Sequence, residues 1–292
     1  MKKYLFAFAG LFCAAACQMP LAKNDATAQA EAPASEWRQI SPENLLLINI
    51  LHGQIVVELN PGFAPDHVAQ IRDLATKGVF DGQRFYRVID GFVAQGGIED
   101  EAIIATHPTL TNENDRPLSD APFAPLGNRD LFAEQVGHIG GFAVARDAKL
   151  DLEWLLHCPG AMAMARDEDP DSGSTEFYIV LDAQRYLDRN LTVFGRVIDG
   201  MQYVQKLRRG DRAIESGVIQ APDKGDEILS MHLASSLPQA GRPIYRVMVT
   251  PSAGFEAAKT TKRVRTNAFF YRKPPEILDI CGFEVPVEKV TN

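Results

Sequence analysis

The stretch Phe85-Tyr86-Arg87-Val88-Ile89-Asp90-Gly91-Phe92-Val93-Ala94-Gln95-Gly96-Gly97 decides how this chain folds. Two apolar runs flank Asp90-Gly91. The first carries one arginine, and the second carries one glutamine and ends in paired glycines. Apolar segments broken by Asp-Gly predict two β-strands joined by a tight reversal. Neighbours in a strand alternate faces, so Arg87 is expected to point away from Tyr86 and Val88. The reversal returns Phe92 and Gln95 towards Arg87. The expected product is a guanidinium and a carboxamide beside an aromatic ring, which suits a ligand with one amide to hold and one apolar ring to bury.

Working outward, residues 45–50 form a solid apolar run, His52-Gly53 marks a turn, and Ile55, Val57 and Leu59 alternate with Gln54, Val56 and Glu58. This predicts a hairpin with one buried face. Pro65 opens a helix carrying Val68, Ile71, Leu74 and Ala75 at helical spacing, and Gly78 stops it. A second helix is expected over 201–209 and a closing strand over 228–233. Beyond residue 235, a strand over 242–249 and a helix over 255–267 are expected, with Lys259, Lys262, Arg263 and Arg265 on a solvated side. A tail of this size is small for an independent domain, so docking onto the rest of the chain is expected.

The chain has 292 residues, of which 46% are hydrophobic and 23% charged, enough for a large core. A net charge of −8 argues against nucleic acid as a partner. No run reaches the roughly 20 apolar residues of a membrane span. Lys2-Lys3 followed by the short apolar segment 4–16 reads as a secretory leader over 1–30, with 31–44 as a linker. Two processing routes stay open: Ala28-Gln29-Ala30 before Glu31 gives a soluble periplasmic protein, and Ala14-Ala15-Ala16-Cys17 resembles a lipoprotein box, with Cys17 as the only membrane attachment. Outside the leader only Cys158 and Cys281 remain, and they are read as separate buried thiols rather than a bridge. Asp167, Asp169 and Asp171 hint at a calcium loop. The hint fails because glycine falls one place late and Tyr178 stands where a glutamate is needed. No metal or cofactor is expected.

The opening stretch resembles the signature of the cyclophilin family of peptidyl-prolyl isomerases, with Tyr86 where histidine is usual. Two further segments fit in order: Pro159-Gly160-Ala161-Met162-Ala163-Met164-Ala165 with Glu176-Phe177-Tyr178-Ile179, and Tyr186-Leu187-Asp188-Arg189-Asn190-Leu191-Thr192-Val193-Phe194-Gly195-Arg196-Val197. The resemblance spans 45–235. It implies a mainly β fold: a closed eight-stranded antiparallel barrel capped by two helices, here with an insertion over about 98–157 and a C-terminal extension over 236–292. The insertion reads either as a surface excursion or as a lid or specificity loop. Residues 141–145 are a candidate strand within it.

By the same resemblance Arg87 is the catalytic residue. Gln95 would hold a substrate carbonyl, and Phe92, Val93, Tyr178 and Leu187 would line a proline pocket. Ala165 and Arg166 would border the ligand backbone, and Glu176, Tyr186 and Leu191 would sit at the rim. The implied partner is a proline-containing polypeptide and the implied state a monomer. An Xaa-Pro bond isomerises over a barrier of about 18–20 kcal/mol set by amide resonance. A donor aimed at the prolyl nitrogen favours the twisted amide, and arginine cannot lose its proton. Such catalysis needs neither nucleophile nor metal. Four departures stand out: Glu176 for glutamine, Tyr178 for phenylalanine, Tyr186 for tryptophan and Leu191 for histidine. Loss of the indole at 186 implies weak cyclosporin binding.

Overall fold

The structure, a computed structural model, describes residues 36–290. The leader and Cys17 lie outside the described residues. In chain order the elements are β1 (Trp37–Gln39), β2 (Leu45–Ile50), β3 (Gly53–Leu59), α1 (Pro65–Thr76), β4 (Arg84–Val88), β5 (Val93–Gly97) and α2 (Glu101–Ile104). The insertion adds β6 (Arg116–Pro117), β7 (Phe123–Pro125), β8 (Gln135–Ile139), β9 (Phe142–Asp147) and β10 (Leu152–Leu155). Then follow β11 (Ala161–Met164), β12 (Glu176–Val180), β13 (Val193–Asp199), α3 (Met201–Val204), β14 (Asp226–Leu233), β15 (Ile244–Met248), α4 (Ala253–Arg263) and β16 (Val287–Val290).

Eight strands close into an antiparallel barrel in the order β11-β12-β5-β4-β14-β2-β3-β13. Its interior follows from alternation. Ile55, Val57 and Leu59 point inward from β3, Met162 and Met164 from β11, and Phe177 and Ile179 from β12, forming one buried cluster. Phe177 meets Phe80 and Phe85 edge-on at 5.6 and 5.7 Å. Helix α1 adds Val68, Ile71, Leu74 and Ala75 to that cluster, and Val204 and Leu207 join it from the second helical segment. That segment is shorter than the expected 201–209. After Leu207 the chain turns to run beside β4, with Gly210 N–H donating to the Val88 carbonyl at 2.8 Å and Ile219 N–H to that of Tyr86 at 2.8 Å. Those bonds tie the segment to β4 in place of a further helical turn.

The insertion is a layer rather than a loop. It forms a five-stranded sheet, β6-β10-β9-β8-β7. Its pairing puts Ile139 opposite Phe142 and Gly137 opposite Val144, while His138 opposes Ala143 on the other face. Ile139, Phe142, Val144 and Leu155 pack with Ala163, Tyr178, Val180 and Val193 of the barrel wall. The extension covers the other face. Phe255 of α4 and Phe283 stand 5.3 and 5.7 Å from the His138 ring. Burial between those layers pulls the His138 imidazole down to about 3, so it packs as a neutral ring.

Three expectations are corrected here. Lys259 is not on a solvated helix side. It is buried and donates to the Pro125 carbonyl at 2.9 Å, because α4 lies against the inserted sheet. Within the stretch read as linker, β1 is a strand paired with β15, and β16 completes that three-stranded sheet. Cys158 and Cys281 are not separate thiols: they form a disulfide with Cα atoms 4.8 Å apart. Nothing local predicts this pairing across 123 residues, because only the docking of the extension brings the two turns together.

Candidate active site

Register assembles the site. Arg87 pairs with Gln95, Gln95 with Tyr178, Tyr178 with Ala163 and Ala163 with Val193. These residues form one row across β4, β5, β12, β11 and β13 on the outer barrel face, since their neighbours Val88, Ala94, Phe177, Ile179 and Met162 point inward. At the hairpin tip Phe92 N–H donates to the Ile89 carbonyl at 3.1 Å, and Gly91 takes φ +66.

The expectation that Tyr86 and Arg87 face opposite ways is overturned. Between Arg84 and Arg87 the register with β5 shifts, leaving an extra residue on β4. Such a bulge lets two consecutive side chains lie on one face. Both converge on Gln95. Arg87 Nη1 donates to Gln95 Oε1 at 3.0 Å, and Gln95 Nε2 donates to the Tyr86 hydroxyl at 2.6 Å. Tyr86 in turn donates to the Glu176 carboxylate. Arg87 Nε donates to the Ser216 carbonyl at 2.9 Å. Ser216 is a non-glycine residue at φ +54, so backbone strain is placed where the arginine is anchored. The two anchors fix the guanidinium plane and leave Nη2 free. Glu176 therefore holds the tyrosine and does not draw Arg87 away.

The electrostatics fit a neutral phenol beside the Arg87 cation. Burial, then the adjacent Glu176 carboxylate, push the Tyr86 phenol above its ordinary range. Burial also raises Glu176, with Asp167 and Glu99 adding to it and the Tyr86 bond opposing it. Burial pulls Arg87 down from its usual value, and it stays charged.

The apolar part is shared with the insertion. Val93 and Tyr178 are buried in the cluster that holds Phe142, Val144 and Leu155, and Phe92, Ala165 and Leu191 pack against it. Two guanidiniums, Arg87 and Arg212, lie 5.7 and 5.6 Å from the Phe92 ring. Leu187 is half-buried on the 3-10 turn Arg185–Leu187. Two of the expected residues lie at the edge of this group. Tyr186 is 59% exposed and lines an adjoining cleft, and Arg166 folds onto the Asn190 carbonyl at 2.8 Å.

Sequence reasoning missed what holds the pocket floor. The Tyr178 hydroxyl meets His157 Nε2 at 2.9 Å, and His157 Nδ1 meets Asp188 Oδ1 at 3.2 Å. Arg185 Nε donates to Asp188 Oδ2 at 2.6 Å. A pocket tyrosine needs a polar partner, and this was the available signal. Among the described residues no cluster of three or more metal-binding side chains occurs. Asp171 instead accepts from the Asn112 backbone and side chain at 2.8 Å each.

Residues 45–233 match the family model described as cyclophilin type peptidyl-prolyl cis-trans isomerase. The chain is 34% identical over 183 residues to a "probable peptidyl-prolyl cis-trans isomerase" of Brucella suis, covering 63% of this chain and 80% of the relative. It is 30% identical over 158 residues to peptidyl-prolyl cis-trans isomerase B of Bacillus subtilis, covering 54% and 85%. The crystal structure of a cyclophilin from Hirschia baltica aligns with a TM-score of 0.72 at 28% identity, covering 87% of this chain and 93% of the other.

Proposed function

This chain belongs to the cyclophilin family and is a peptidyl-prolyl cis-trans isomerase, and on that premise we propose that Arg87 is its catalytic residue and that it acts on exported polypeptides. The observation that carries the first part is the double anchoring of Arg87 on Gln95 and Ser216, which leaves a charged donor presented beside the Phe92 ring. A proline ring seated against Phe92, Val93 and Tyr178 puts its nitrogen near that donor. As the amide twists, the nitrogen regains a lone pair that the guanidinium stabilises, while the planar ground state offers no such acceptor. Gln95 uses one Nε2 hydrogen on Tyr86 and keeps the other for a substrate carbonyl.

Arg87→Ala should lower kcat/KM on a short Xaa-Pro peptide by about a hundredfold or more. Circular dichroism should show the fold intact. Near-normal turnover in a folded variant would overturn the assignment.

Export rests on the basic and apolar leader and on the Cys158–Cys281 bridge, which suits an oxidising compartment. The enzyme then assists folding in the bacterial envelope. Intact-mass measurement on soluble and membrane fractions tests this. An N-terminus at Glu31 marks a soluble periplasmic protein, and an acylated Cys17 marks a lipoprotein. Cytosolic protein retaining Met1 would refute export.

A further inference from the structure

The insertion places exposed apolar side chains beside the pocket and holds them still. Asp130 accepts from Arg185 Nη1 and Nη2 at 3.1 Å each, tying the insertion to the turn that carries Tyr186 and Leu187. The same carboxylate accepts the backbone N–H of Phe132 at 2.9 Å and of Ala133 at 3.0 Å. The Arg185 guanidinium lies 5.2 Å from the Phe132 ring. The loop is thus fixed, yet Leu131 is 97% and Phe132 57% exposed. Single exposed apolar residues are ordinary, but a rigid group around one cleft marks a binding surface.

That cleft encloses about 510 Å³ between Leu131, Phe132, Tyr186 and Trp154. Trp154 is only 5% exposed, and its indole N–H has no acceptor. The cleft adjoins the pocket: Tyr186 on its rim precedes Leu187, and Asp188 on its wall holds the His157 that supports Tyr178. Its arginines are already committed, Arg185 to Asp130 and Asp188, and Arg189 to Asp115. Glu134 and Asp147 border it as well, a charge balance that disfavours an anionic membrane surface.

We propose that this cleft is a substrate subsite for a large apolar side chain, aromatic or aliphatic, within a few residues of the isomerised proline. The occupant is the proline-bearing polypeptide itself. The proposal rests on the pocket reading above. It would make the insertion a specificity element.

The test compares a short Xaa-Pro peptide with two longer peptides carrying either phenylalanine or serine at the positions flanking the proline. The wild type should prefer the phenylalanine peptide by about tenfold, mainly through KM. L131S/F132S should lose that preference while turning over the short peptide normally, with circular dichroism unchanged. Equal turnover of both long peptides by the wild type, or a preference surviving in L131S/F132S, would overturn the subsite. If the short peptide is not turned over at all, the pocket reading fails instead. Fluorescence anisotropy with the same long peptides then still judges the cleft, which stands only if wild type binds the phenylalanine peptide better and the variant does not. Loss of self-association or of vesicle binding in L131S/F132S, with no peptide preference in the wild type, would assign the patch to a second copy or a membrane and overturn the proposal.

Discussion

Tyr86 joins two things at the residue scale, the carboxamide that anchors Arg87 and a half-buried carboxylate. Tyr86→Phe removes both contacts without changing shape. It should cost about 1 kcal/mol of stability, because the half-buried Glu176 loses its donor. With Gln95 released, kcat/KM should drop by about tenfold, seen in the peptide assay beside a denaturant titration. Adding Glu176→Gln should recover most of the stability, since the half-buried charge is gone, and little of the activity. The single Glu176→Gln variant makes a pH prediction. Burial raises the Glu176 pKa in the folded state, so the folded protein holds that proton more tightly than the unfolded chain does. The penalty for the charge is fully present above the raised value and disappears below the ordinary carboxylate value. Glu176→Gln should therefore be more stable than wild type at neutral pH, and the gap should close as the pH falls through that window. A gap independent of pH would mean that the carboxylate is not the cost.

The turn Arg185–Leu187 shows at the element scale how few residues divide two surfaces. Leu187 is half-buried, while Tyr186 opens onto the cleft with Leu131 and Phe132. Tyrosine at this position cannot offer an indole N–H to a ligand carbonyl. Cyclosporin should accordingly bind weakly while peptide turnover, which relies on Arg87 and the Phe92 pocket, survives. Tyr186→Trp should tighten inhibition by about ten- to a hundredfold, as expected for about 1–3 kcal/mol from one desolvated hydrogen bond. Equal inhibition of both proteins in a drug titration would show that residue 186 does not decide it. The turn owes its shape to Asp188 and Asp130, which clasp Arg185 from either side.

The whole molecule is layered: barrel, inserted sheet, extension. Charged groups tie the barrel to its neighbouring layers and hold the insertion together. Glu58 of the barrel is buried with Arg38 of β1 and Arg196 of β13. Glu153 of the insertion is fully buried between Arg116 and Arg146, and Arg116 also reaches the Gly62 carbonyl next to the barrel. The Cys158–Cys281 bridge closes a loop of 123 residues. Replacing both cysteines by serine should lower stability by about 2–5 kcal/mol, read by thermal unfolding with and without reductant, while short-peptide turnover persists. Reductant should shift the wild type and leave the double variant unmoved. A double variant as stable as wild type would show that the noncovalent ties alone hold the extension.

The sequence by itself determined the alternation that fills the barrel and where most of its strands lie along the chain, because period-two patterning and an Asp-Gly reversal act over a few residues. It also determined which side chains could meet: Arg87, Gln95, Phe92, Val93 and Tyr178 all sit in segments readable as strands or turns. Only the tertiary structure decided how they meet. A bulge, which depends on β5 being the partner of β4, turned Tyr86 onto the face of Arg87. Burial by the inserted sheet gave the Tyr178 hydroxyl a single available partner, His157, twenty-one positions away. Docking of the extension brought Cys281 to Cys158 and took Lys259 out of solvent. Each of these depends on contacts between elements far apart in the chain, whose free energy appears only once the layers stack, and local patterning carries no record of it.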